Sequence, residues 1–556
     1  MRRTFRALVP LLAALVPILP SNPSTAWAAD TPPSFGEAID VRVVNVEAVV
    51  TDRDGKLVTG LKPGDFRLRV DGKEVPIEYF SEVHDGQALA TTAGAPAPEG
   101  KPAAEAAVQG LAEGNVGTYY LVFIDDYFSI APNRDQVLKA LKADLGRLGP
   151  DDRMAIVAYD GGRLAMLSNW SGSQADLGRA FDQAMTRKAR GFDRIAERRS
   201  QGNDDAFAKQ TVGDSTPLDL TVLQTGLNDR QRAYADNLIR QIKGDVQAAV
   251  SAMRAFSGPR GRKVMLLLSG GWPFSAVSYT AGGGGLPTKE LPEGEQVLRP
   301  LASTANLLGY TLYPVDVPGL QTAAADAEAT APATAPVSSS AEQEIEGSLK
   351  FLAQETGGKA ILNSNRTLAL AGARDDTRSF YWLGFSPNWQ RNDKTHSVKL
   401  EARQSGLRVR TRSNYLDLSR KAEVTMKVES ALLLGNPPDA LQMPLKAGDA
   451  VRSKRGEVEI PLTLGLPVDV MTVLPDGKKF SAQLELRFAA SDSEGNTADI
   501  PVLPVSLSSD HPPVAGKFVK YETKVKLRGK ADHLVVALYD PLSGKIATAE
   551  TDVKMP

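Results

Sequence analysis

The 556-residue sequence contains no cysteine. Disulfides, thiol nucleophiles and thiolate metal sites are therefore excluded. Histidine is scarce too: the four are His84, His396, His511 and His533. No His-Glu-x-x-His zinc motif and no Gly-x-Ser-x-Gly nucleophile elbow occurs. Charge of either sign is not in excess, at a formal net of -1. The balance implies no nucleic-acid or anionic-membrane partner. Beyond the N-terminus, no apolar run reaches the ~20 residues that a membrane-spanning helix needs. What remains has globular composition, with 42% hydrophobic and 24% charged residues, enough for sizeable cores. The length suggests roughly three or four domains.

The first 28 residues read as a secretory signal. Arg2, Arg3 and Arg6 make a basic start, and Ala7 to Leu19 is an apolar core interrupted by Pro10 and Pro17. Ala26-Trp27-Ala28 fits a small-x-small cleavage site, so the mature chain is expected to begin near Ala29. That places the protein in the periplasm or outside the cell.

Residues 36–84 read as a β module. Val41, Val43, Val46, Ala48 and Val50 alternate with polar residues, and Asp54-Gly55 and Asp71-Gly72 signal hairpin turns. Residues 85–115, rich in Ala, Gly, Pro and Glu, read as a linker. Residues 116–390 alternate strand and helix patterns, with expected insertions near 191–217 and 320–342. Tyr119 to Ser129, YYLVFIDDYFS, is the stretch on which this region turns. A short apolar run of this kind suits a parallel strand buried on both faces. It ends in two aspartates, at the place where open α/β sheets put their ligand sites. KVMLLLS, Lys263 to Ser269, is the strongest strand pattern. Ala281 to Gly285 is glycine-rich but lacks the Lys-Ser/Thr of a phosphate loop. Residues 391–418 return to β alternation and are expected to complete the N-terminal module. Residues 419–556 alternate short β-like runs with turn signals such as Pro475-Asp476-Gly477, which predicts a separate β-sandwich.

Six segments in order, VTDRDGKLVTGLKPGDFRLRVDGK, YYLVFIDD, LLLSGG, FLAQETGGKAI, FYWLGFSP and GLRVRTRSNY, resemble the acidobacterial-type von Willebrand factor A-related proteins. The resemblance covers Val41 to Tyr415 and stops short of the last ~140 residues, a domain's length. It implies a Rossmann-like, doubly wound, mostly parallel A domain flanked by β-sandwich elements. Domains of this type bind proteins through a divalent cation, held by an Asp-x-Ser-x-Ser motif with a Thr and an Asp from other loops. Asp125 and Ser129 match the first and last motif positions, but Tyr127 stands where the middle serine belongs. Ser269 stands where the later aspartate belongs; Thr221 and Thr225 are candidates for the threonine, and Asp126 could replace a lost carboxylate. A hard cation such as Mg²⁺ or Mn²⁺ wants an octahedron of oxygens, and this set is short of ligands. The site reads as degenerate, and no resident cofactor is expected.

Four aromatics, Tyr127, Phe128, Trp272 and Phe274, follow the two central strand patterns. They either rim one sheet edge as partner anchors, together with Asp126, or pack under loops. Three functions compete: a secreted, non-enzymatic protein-binding or scaffold protein; a hydrolase working through Asp125, Asp160 and Asp316; and a purely structural envelope component. The histidines fall outside the α/β pattern, which argues against the hydrolase.

Overall fold

The structure is a computed structural model. It describes residues 44–89, 92–93, 114–198, 200, 217–256, 261–276, 291–317, 339–362, 367–387, 391–434, 441–452, 457–476, 479–491, 501–528 and 533–553. The expected signal, most of the expected linker, the glycine run and most of both expected insertions lie outside the described residues. The architecture is mixed α/β with several sheets. The chain divides into two compact units, one spanning Asp40–Asp417 and the other carrying Leu418–Pro556.

Strand Thr118–Asp125 is the middle of a five-stranded sheet. It pairs in parallel with Arg153–Tyr159 on one side and Arg262–Ser269 on the other. Arg262–Ser269 pairs in parallel with Tyr310–Asp316, and Leu164–Ser171 closes the opposite edge antiparallel to Arg153–Tyr159. Residues Leu121 to Ile124 are fully buried, so both faces of the strand are covered, as its unbroken apolar run requires. Tyr120, Val122 and Ile124 share a core with Val137, Leu138 and Leu141 of helix Ala131–Ala143 and with Leu177 and Phe181 of helix Gln174–Thr186. The 39-residue helix Pro217–Ala255 meets the central strand and Arg153–Tyr159. Its sequence offers Gly226 and Gly244 as breaks, yet the helix runs through both positions. Burial of Ile242, Val246 and Ala249 outweighs the ~1 kcal/mol that a helical glycine costs. Helices Gly294–Leu308 and Ser339–Glu355 both meet Tyr310–Asp316.

The N-terminal β residues and residues after 390 meet as a sandwich in the same unit. One sheet holds Val44–Thr51, Phe380–Phe385, Tyr79–His84, Arg408–Thr411 and three two-residue strands. The other, four-stranded, holds Phe66–Val70, Lys73–Val75, Lys394–Ala402 and Asn414–Asp417. Val46, Val50, Phe66, Leu68, Tyr381, Leu383 and Leu400 fill the space between. Phe380–Phe385 differs from the sequence reading, which put it with the α/β domain. It lies antiparallel between Val44–Thr51 and Tyr79–His84. Its six residues are all buried, so local pattern alone does not say which core receives them. Two of the short strands, Gln87–Ala88 and Gly114–Asn115, fall in the expected linker and pair with each other.

The second unit is also a sandwich. Its sheets are built mainly on Lys479–Ser491, Val502–Ser509, His533–Tyr539 and Ile546–Asp552, and on Glu457–Pro467 with Phe518–Arg528. Helix Arg420–Leu434 was not expected from the β pattern. Val424, Val428 and Leu432 recur every fourth residue and pack on Val535, Ala537 and Tyr539. Ser419 opens the helix, its Oγ accepting the Ala422 N–H. Buried Arg487 donates to the Lys421 carbonyl and the Thr425 hydroxyl, fastening the helix to the sheet. No helix among the described residues is long and apolar enough to cross a membrane.

Candidate functional site

The loop leaving the central strand is held by its own first residues. Asp125 is fully buried, and its Oδ1 accepts the backbone N–H groups of Tyr127 and Phe128, both at 2.9 Å. Its Oδ2 accepts the Ser269 hydroxyl at 2.5 Å, and Ser269 Oγ accepts the Gly271 N–H. The carboxylate thus ties together the ends of two neighbouring strands. Asp126 turns the other way. Its Oδ1 accepts from Arg134 at 2.6 Å and its Oδ2 from Arg187 at 2.7 Å. Its N–H donates to the Tyr159 carbonyl, and its own carbonyl accepts the Arg190 N–H. Burial pushes the Asp126 carboxyl up, and the two guanidinium groups pull against it.

Two arginines and one aspartate of this cluster were missed in the sequence reading. Arg134 and Asp245 are fully buried, and Arg187 is partly exposed. A sequence signal existed for the buried two. Arg134 falls on the stripe of Val137, Leu138 and Leu141, and Asp245 on that of Leu238, Ile242 and Ala249. A charged residue on an apolar face requires a buried partner. Asp245 Oδ2 accepts the Trp272 indole N–H at 3.1 Å, while its Oδ1 has no partner among the described residues. Ser129 Oγ, also buried, likewise has none.

The electrostatics follow from this burial. Removal from water pushes Asp125 up to about 6, against the Ser269 hydrogen bond, and the charge of Asp126 adds to the rise. Asp245 lies well above the usual carboxylate range, first through burial and then through Asp125. The Tyr159 hydroxyl is raised by burial and then by Asp245. The fold therefore retains a proton on Asp125 that the unfolded chain releases near 3.8. Stability from this group is present below about pH 4 and is lost as pH rises to about 6, a change of about 3 kcal/mol. Asp125→Asn keeps an acceptor for the two backbone N–H groups and cannot ionise. Urea unfolding between about pH 4 and pH 7.5 is expected to show a flatter profile for the variant. Equal slopes for the two proteins would contradict the assignment.

The aromatics do not form one rim. Phe128 and Trp272 are buried, with Trp272 seated by Gly271 at φ +85°, where a Cβ would come within 1.9 Å of Ile345. Phe274 is half-buried and meets Phe351 edge-on at 5.7 Å. Tyr127 is half-buried as well. Its ring lies under the Arg194 guanidinium at 4.6 Å, and its hydroxyl accepts from Arg194 at 2.9 Å. Gly161, at φ +92°, makes room for the ring, since a Cβ there would come within 2.1 Å of it. Packing under loops is thus the arrangement of Phe128 and Trp272.

Asp125 and Ser269 meet at one end of the sheet and Ser129 is buried in the loop that follows, but as a donor set the three do not fit a hard dication. Both Asp125 oxygens are engaged, Asp126 is spent on two arginines, and Tyr127 points its hydroxyl at Arg194. No group of three or more His, Asp or Glu residues able to hold a metal occurs among the described residues. Thr221 and Thr225 fall in helix Pro217–Ala255, with side chains outside those described.

Neither a protein-family model nor a curated protein matches the chain.

The carboxylates proposed for hydrolysis are spread apart in role. Asp160 Oδ1 accepts the N–H groups of Gly162 and Arg163, closing its own turn. Asp316 donates its backbone N–H to the Ile361 carbonyl. His84 and His396 belong to the first sandwich, and His533 and His511 to the second unit. His396 Nδ1 sits 2.7 Å from Asp71 in the turn after Phe66–Val70, and His533 Nδ1 3.1 Å from Asp552 on the neighbouring strand, so both have carboxylate partners.

Proposed function

We propose that this chain is an exported, non-enzymatic binding or scaffold protein, built around a von Willebrand factor A-type domain that binds a protein partner without a resident cation. One observation carries the reading. Asp125 and Asp126 at this sheet edge are turned inward onto serine, backbone and arginine donors, and Asp160 is engaged by its own turn, while an aromatic–arginine surface lies beside them. Phe192 is 53% exposed, two residues from the Arg194 that covers Tyr127, and Arg190 is exposed next to it. Exposed aromatic and arginine side chains are the commonest anchors of protein interfaces. Inward-turned carboxylates are unsuited to general acid–base work, which needs a group within reach of substrate. The signal pattern of the first 28 residues and the six-segment resemblance support export and the A-type assignment.

Two measurements test this together. Calorimetric titration of Mg²⁺ and Mn²⁺ is expected to show no tight site; tight binding that disappears in Asp125→Ala would overturn the cation-free reading. Chemical cross-linking in envelope extract is expected to give a partner adduct that persists in chelator and is lost in Phe192→Asp. An adduct indifferent to Phe192→Asp would remove this surface from the proposal.

A further inference from the structure

The first sandwich has an open seam. Strand Lys394–Ala402 pairs with Phe66–Val70 along Val398 to Ala402, but Asn414–Asp417 covers its other side only over Lys394 to Ser397. Strand Arg408–Thr411 pairs with Val44–Thr51 and ends its sheet on the other side. Clefts of about 630 Å³ and 520 Å³ adjoin along the seam and share Leu400 and Val409.

The direction of the backbone groups can be worked out. The Val398 N–H donates to the Ser413 carbonyl, and the Ser397 carbonyl accepts the Asp71 N–H from the opposite side. Polar groups alternate along a strand, so Leu400 and Ala402 turn their N–H and C=O away from Phe66–Val70 and into the seam. On the facing strand, the Val50 carbonyl accepts the Val58 N–H, so Val50 turns away from its neighbour Val409. Val409 must then turn its own N–H and C=O outward as well. Two sheet edges thus present backbone groups that no strand pairing among the described residues uses, across a cleft floored by Leu362, Leu400, Leu407 and Val409.

The charge is one-sided. The walls carry seven lysines and arginines against two glutamates, Glu355 and Glu401. Glu346, Glu74 and Asp376 neutralise part of this excess through Lys350, Arg403 and Arg410. Lys359 is exposed and forms no ion pair among the described residues.

We propose that the seam between Lys394–Ala402 and Arg408–Thr411 is a second binding site, which takes an extended acidic segment of a partner protein by strand addition. Backbone pairing would supply affinity, apolar residues at alternate positions would face the cleft floor, and carboxylates between them would meet the lysine rim. The inference rests on reading the chain as a binding protein but uses a different face from Phe192.

The probe is a fluorescein-labelled heptapeptide alternating glutamate with valine, titrated into the full chain by anisotropy. Controls replace glutamate by lysine, or valine by proline. Val409→Pro removes the outward N–H without breaking the ladder to Val44–Thr51, and circular dichroism checks that it folds. Val409→Pro, the Lys359→Glu/Lys399→Glu pair, and each control peptide are all expected to weaken binding about tenfold or more. Phe192→Asp is expected to leave peptide affinity unchanged, so this proposal and the preceding one fail separately. The proposal is overturned if the glutamate–valine peptide does not bind, or if the proline peptide binds equally well, which is attraction to charge alone. It is also overturned if the seam variants bind as the parent does.

Discussion

Arg134→Met is expected to destabilise the Asp40–Asp417 unit by about 3–5 kcal/mol in urea unfolding. The arginine is fully buried, and it is the closest cation to Asp126, at 2.6 Å. It also donates to the carbonyl of Arg187 at 3.1 Å and to Asp135 at 2.8 Å. Removing it leaves a buried carboxylate whose remaining partner, Arg187, is 21% exposed and so partly screened. Breaking a buried pair costs more than the pair contributes, because the abandoned charge keeps its desolvation penalty. Replacing both partners, as Asp126→Leu with Arg134→Met, is therefore expected to recover much of the loss. A single-variant cost under about 1 kcal/mol, or a double variant as poor as the single, would show that Asp126 is not held by this ion pair.

Trp272→Ala is the second large effect, expected at about 3–5 kcal/mol. The indole is fully buried and enters the fold through Gly271, whose positive φ and close approach to Ile345 leave no space for another residue. Its N–H is the one side-chain donor to Asp245 among the described residues, so truncation both opens a cavity and strips a buried carboxyl of that hydrogen bond. Trp272→Phe separates the two causes. It keeps most of the ring and removes the donor, so it is expected to cost less than alanine and to be relieved by Asp245→Leu. Near-ultraviolet circular dichroism at equilibrium, followed by urea unfolding, reads both. Equal losses for phenylalanine and alanine would assign the effect to the hydrogen bond alone.

Much of the fold was legible because burial leaves a periodic trace. The unbroken runs YYLVFID and KVMLLLS indicated buried strands, and both lie among the parallel strands inside the five-stranded sheet. Alternation in VRVVNVEAVVTD and in HSVKLEA indicated strands with one buried face, and the strands Val44–Thr51 and Lys394–Ala402 both line the first sandwich core. The readings diverged where a trace fits two answers. FYWLGF is buried throughout and joined the sandwich instead of the α/β sheet. RKAEVTMKVESALLL, read as part of a β region, is a helix because its valines repeat at four residues and a serine caps it.

The residue types at the site were in plain view, but their roles were not. Asp125 and Ser129 could be named from one short stretch, and Ser269 from another, because strand ends are local features. That Asp125 is satisfied by its own loop and by Ser269 depends on two strands being neighbours. That Asp245 lies near Asp125, and Arg134 against Asp126, depends on which helix covers which strand. Sequence alone determined the zero cysteine count, the alternation of strand and helix around the central strand, and the aspartate pair at its tip. Tertiary structure decided whether those carboxylates face solvent, cation or protein. Packing brings together residues more than a hundred positions apart, such as Asp125 and Ser269, and no local period encodes such meetings.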